Sequence, residues 1–236
     1  MWPWCGGLGA TADSPLCVRQ DKRYYAIKEG DGPVDRSQWN DVKYTLGLDF
    51  PNLPYIIHGD VKITESNACL IYVANLAGVA GNTAAERAHV RVSCERFQNR
   101  RTHTQGGGLH GRWQVEMMLC KVMDLRNAVV RVGYSPKAEF ASRLAAFKEG
   151  LPRHLDGMSA FLGDKQWLVS CGLTAPDFHL YEMLRQVSAM VPGCLDEYPT
   201  LQAYKRRFEA LPAIKRYQTS GSFLDRPFNQ PYASFH

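Results

Sequence analysis

Two kinds of hydrophobic spacing divide the chain. Between residues 52 and 63, two short apolar runs, Asn52-Leu53-Pro54-Tyr55-Ile56-Ile57 and Val61-Lys62-Ile63, flank His58-Gly59-Asp60, a turn-rich connection that predicts a β-hairpin. Thr64-Glu65-Ser66-Asn67 then leads into a helix, in which Leu70, Ile71, Val73 and Ala74 return at helical spacing and Gly78 marks a stop. Beyond residue 115 the spacing is helical almost throughout. Val115, Met118, Leu119, Val122, Val129 and Val132 form an apolar stripe, with Lys121, Asp124, Asn127 and Arg131 facing elsewhere, and the helix is expected to end near Tyr134-Ser135-Pro136. Further helices are expected around 137–150, 152–162, 175–190 and 199–210, with Pro and Gly at the breaks. Thr174-Ala175-Pro176-Asp177 has the form of a capping box at one of these starts.

Two segments lack either spacing. Residues 1–17 hold three glycines and two prolines without helical periodicity, which predicts an irregular stretch. Residues 93–114 include Arg-Arg-Thr-His-Thr-Gln-Gly-Gly-Gly-Leu-His-Gly and read as a loop.

The strand-turn-strand-helix unit suits recognition of a small peptide with charged ends. Leu53-Pro54, beside a strand, is a candidate cis bond that turns the backbone groups of Leu53 toward an extended ligand. Ser66, at a helix start, offers a hydroxyl and unpaired N–H groups to a carboxylate. Upstream, Arg36, Trp39 and Lys43 supply cations and an indole N–H for a second carboxylate. Singly, each residue has a plainer reading, since a loop Trp usually packs and a Ser before a helix usually caps. Their joint spacing over some forty residues argues for a site.

That same run, from Asp35-Arg36-Ser37-Gln38-Trp39 to Glu65-Ser66-Asn67-Ala68, resembles the glutathione-binding half of a mu-class glutathione transferase. The resemblance implies an α/β thioredoxin-like amino-terminal domain, here 1–82, followed by an all-α helical domain, 83–236. It places glutathione contacts on Arg36, Trp39, Lys43, Asn52, Leu53, Glu65 and Ser66. Position 65 is Glu where the class usually has Gln, and a Glu can still accept from the ligand's amino group. Asp124 is implied to reach the glutathione of a partner subunit, and Tyr134 to line the electrophile pocket. Ten residues on a helix rise about 15 Å, so these two serve different places. Phe50 stands where the class has an aromatic key for the partner subunit, which implies a homodimer. The implied activity is conjugation of glutathione to hydrophobic electrophiles, with glutathione as co-substrate and no further cofactor.

The resemblance weakens at the amino terminus. Aligning Trp4 with the family's Trp puts Pro3 where the class carries its catalytic Tyr, so no catalytic residue is assigned and the fold's first strand and helix are expected to be incomplete. A ligand-binding relative with impaired chemistry is the alternative reading. The 93–114 segment is expected to interrupt the long helix of the dimer interface.

Composition narrows the remaining classes. A net charge of +5 without a dense basic stripe argues against nucleic acid. No apolar run approaches membrane-spanning length, and the start lacks a signal-peptide pattern. Seven irregularly spaced cysteines favour free thiols in the cytoplasm over a disulfide framework. Cys94, His103, His110 and Cys120 match no zinc spacing, and no metal is expected.

Overall fold

The computed structural model describes residues 23, 25, 35–77, 79, 107–169, 172–221, 223–230 and 232–235. The expectations for residues 1–17, including Pro3 and Trp4, lie outside these, as do those for 93–106. The hairpin forms as read. Strands β1 (Tyr55–His58) and β2 (Val61–Thr64) pair antiparallel with His58 opposite Val61, so the turn is the two-residue Gly59-Asp60. Gly59 takes a φ of 58°, the left-handed region this tight turn demands and glycine enters freely. A short helix α1 (Ser37–Asn40) precedes the hairpin, and α2 (Ser66–Leu76) follows it.

The rest is helical: α3 (Gly107–Gly133), α4 (Lys137–Leu162), α5 (Ala175–Met190), α6 (Pro199–Glu209) and α7 (Pro212–Gln218). Central α5 is buried along nearly its whole length, and α3 packs against it with Met118, Val122, Leu125 and Val129. Leu151, Leu155 and Leu162 of α4 and Leu201 and Tyr204 of α6 complete the main core. A smaller cluster joins the two halves of the molecule. Ala74, Leu70 and Ile71 of α2 meet Val115 and Leu119 of α3 and Ala175 of α5.

The capping box at α5 is present. Asp177 Oδ2 accepts from the Thr174 N–H at 2.8 Å and its hydroxyl at 2.9 Å. Its other oxygen accepts from the Leu168 N–H at 2.9 Å and the Tyr204 hydroxyl at 3.0 Å. Burial pushes this carboxyl up, and the four hydrogen bonds pull it back.

Two expectations are corrected. The breaks read between 137–150 and 152–162 do not exist, because α4 runs unbroken with Pro152 inside it. Its buried stripe of Phe147, Leu151, Leu155 and Met158 passes straight through the proline, so core packing outweighs the one hydrogen bond that Pro cannot donate. The loop read over 93–114 is already helical from Gly107. Glycines cost roughly 1 kcal/mol each in a helix, but extending an existing, packed helix needs no new nucleus. At its other end α3 stops at Gly133, as its apolar stripe predicts.

Candidate functional site

The hairpin brings several of the predicted residues to one end of the sheet. Tyr55 stands opposite Thr64, so the Leu53-Pro54 segment that leads into β1 and the Glu65-Ser66 segment that leaves β2 adjoin the same end of the ladder. The Cys69 thiol, one turn into α2, confirms the closeness, lying 3.8 Å from the carbonyl oxygens of both Pro54 and Ile63. The Leu53-Pro54 bond is cis, as the sequence suggested. Leu53 is exposed, and its N–H donates to Asn52 Oδ1 at 2.9 Å.

The cap position of α2 falls on Glu65, and its side chain makes no capping hydrogen bond. Among the described residues Glu65 is also the one non-glycine with a positive φ, 72°. Such strain persists where surrounding structure enforces it, and it concentrates at functional positions. Ser66 is then the first helical residue. The first turn of α2 holds no acidic side chain, so the carboxylate at this helix start is that of Glu65 at the cap itself, which makes no bond to the unpaired N–H groups.

Trp39 joins the group through aromatic contacts. Its indole stacks on the Tyr55 ring, centroids 5.8 Å apart and planes at 19°, and meets Tyr25 edge-on at 5.2 Å. The Tyr25 and Tyr55 hydroxyls lie 2.8 Å apart. Burial, then the hydrogen bond to Tyr25, pushes the Tyr55 phenol up to about 12. Arg36 is exposed just before α1, and Lys43 donates to Asn40 at 3.0 Å, so both cations stand near the indole in sequence and on the surface.

The remaining predicted residues are placed elsewhere. Asp124 is exposed on α3 and ion-paired with Lys121 at 3.0 Å. Tyr134 follows α3 and is half-buried under the carboxy-terminal segment, where its hydroxyl accepts from the Gln230 N–H at 3.2 Å and its ring lies 5.5 Å from that of Tyr232. Burial pushes its phenol up. Phe50 is 75% exposed. A cavity of about 270 Å³ between the end of α5 and α6, lined by Cys194, Lys205 and Glu209 among others, contains none of these residues.

Tyr25 and Tyr55 were not singled out by sequence. Tyr55 lay within the quoted hairpin run, while Tyr25 has no pattern that ties it to a residue thirty positions away. Among the described residues, no group of three or more His, Cys, Asp or Glu is placed to hold a metal ion, and no helix is long and apolar enough to cross a membrane.

A cis-proline hairpin whose end abuts a helix start, attached to an all-helical domain, defines the glutathione transferase architecture. Comparisons agree. The family model "Glutathione S-transferase, C-terminal domain" matches residues 123–221. The crystal structure of the glutathione S-transferase Blo t 8 superposes with a TM-score of 0.65 at 29% identity, covering 86% of this chain and 84% of that one. Glutathione S-transferase Mu 1 of Oryctolagus cuniculus is 38% identical over 88% of this chain and 82% of its own length. Glutathione S-transferase Mu 3 of Homo sapiens is 37% identical over 92% and 83%. The chain belongs to the mu-class glutathione S-transferases.

Proposed function

We propose that this chain conjugates the thiolate of glutathione to hydrophobic electrophiles, as a detoxifying transferase of the cytoplasm that works as a homodimer. The observation that carries this reading is the convergence of Trp39, the Leu53-Pro54 bond, Glu65 and Ser66 at one end of the hairpin. Glutathione is an extended peptide with a carboxylate at each end. The α2 amino terminus and Ser66 receive one carboxylate, while Trp39, Lys43 and Arg36 receive the other. The backbone of Leu53, with Asn52 beside it, pairs with the ligand's middle, and Glu65 accepts from its ammonium group. Asp124 reaches the ligand of the partner subunit, and the exposed ring of Phe50 enters that subunit.

The reaction forms a carbon–sulfur bond. The glutathione thiol gives its proton to solvent water, the resulting thiolate sulfur attacks the electrophilic carbon, and the leaving group, where there is one, departs with its electron pair. Tyr134 lines the electrophile pocket, and its hydroxyl, held protonated by burial, stabilises developing negative charge. Calorimetry with glutathione tests the binding site. Losing a charge-assisted hydrogen bond costs about 1.5 to 3 kcal/mol, so Trp39→Ala and Ser66→Ala should each weaken binding about tenfold or more. Equal affinity in both variants and the parent would remove these residues from the site.

A further inference from the structure

Trp39 sits on a helix that cannot hold it. Helix α1 has four residues, none of them buried, and although Asp35 Oδ1 accepts at 2.8 Å from the Ser37 N–H at its start, neither length nor a core of its own fixes the orientation of the indole. A donor that must meet a carboxylate in one geometry needs supporting side chains whose own rotamers are locked. The described ring contacts of Trp39 are Tyr55, face to face, and Tyr25, edge-on, and these two are joined by their hydroxyls at 2.8 Å. Three separate stretches of chain, at residues 25, 39 and 55, thus meet in one aromatic cluster. Tyr55 in turn is anchored by the ladder opposite Thr64, adjacent to the strained Glu65 and to the start of α2. The cluster therefore links the two proposed carboxylate sites mechanically.

We propose that Tyr25 and Tyr55 are positioning residues for the Trp39 indole, and that the bond between their hydroxyls sets how tightly this chain holds the glutathione carboxylate beside Trp39. The claim rests on the glutathione reading given above. Neither tyrosine touches the reacting sulfur in this account. Their loss acts on binding and leaves the chemical step alone.

The test uses the full chain with Tyr25→Phe, Tyr55→Phe and the double variant, which keep all three rings and remove only hydroxyls. Two quantities are read: the steady-state constants for glutathione, and the indole N–H resonance of Trp39 in the ligand-free protein, assigned with Trp39→Phe. Each single variant should raise KM for glutathione about threefold to tenfold at unchanged kcat and should shift the indole resonance. The double variant should be no worse than either single one, because both remove the same bond. An unchanged KM, a fall in kcat, or additive losses would each overturn the proposal, as would an indole resonance that stays fixed in both variants. If the parent chain binds no glutathione, the functional reading and this proposal both fail; if the parent binds and the variants bind equally well, only the positioning claim does.

Discussion

Tyr204 and Phe208 of α6 are fully buried, whereas Tyr44 and Phe50, beside α1 and the hairpin, are 76% and 75% exposed. The same residue types meet opposite fates in the two halves of the molecule. The helical half encloses its aromatic and aliphatic side chains around α5 and surrounds the buried Asp177 carboxylate with hydrogen-bond donors. In the half that carries the site, α2 buries only Cys69 and Ala74, α1 buries nothing, and both strands are half exposed. Packing of α2 on α3 and α5 supplies much of what holds it. A binding site needs reachable backbone and unpaired donors, and a closed core offers neither. The division places the larger core in one half and the proposed binding site in the other.

The sharpest way to break that division is to remove the polar anchor of the helical half. Asp177→Ala leaves the Leu168 and Thr174 N–H groups without their buried acceptor, while the Tyr204 hydroxyl keeps only the backbone carbonyl of residue 177. A loss of about 3 to 5 kcal/mol is expected in urea unfolding. A loss below about 1 kcal/mol would mean that this network does not hold the core.

The exposed aromatics of the other half define the next test. If Phe50 enters a partner subunit, Phe50→Ala should weaken the dimer by roughly 2 kcal/mol or more while leaving the helical core intact. Light scattering across a dilution series should show dissociation at concentrations where the parent remains dimeric. An unchanged dimer would show that this exposed ring has another role.

Acid probes the helical half again, more gently. His179 is buried on α5, and burial, with the nearby positive charge of Arg126, drops it from 6.5 to about 3. The unfolded ring therefore takes a proton near pH 6.5 that the folded ring refuses until about pH 3, so the unfolded state binds more protons between these values and stability falls as pH drops. Between pH 7 and pH 5 the loss is on the order of 2 kcal/mol. Urea unfolding at the two pH values should show it, and His179→Gln should reduce the difference. The same slope in both proteins would assign it to other groups.

What the sequence disclosed follows the range of the interactions concerned. The hairpin, its glycine turn and the Thr174–Asp177 box are local and carry residue signatures, so they were legible. Helix α4 was misread at Pro152 because a local breaker signal competes with a buried stripe that only tertiary packing makes decisive. The glycines at the start of α3 misled in the same way. The second pair of Asp177 hydrogen bonds, to Leu168 and Tyr204, and the contact of Tyr25 with Tyr55 join residues far apart in sequence, and no spacing announces them. At the site, residue identities were readable one by one, but the pairing of Tyr55 with Thr64, which brings their neighbours Pro54 and Glu65 to one end of the ladder, is a property of the folded hairpin.

The central claim is that the exposed end of the hairpin binds glutathione for transfer. Its most direct test is steady-state conjugation of glutathione to an activated nitroaryl halide by the full chain and by Ser66→Ala. The account predicts turnover that saturates with glutathione in the parent and a KM raised about tenfold in the variant, the effect of losing roughly 1.4 kcal/mol of binding. A rate no higher than that in buffer, or identical constants in the two proteins, would contradict it.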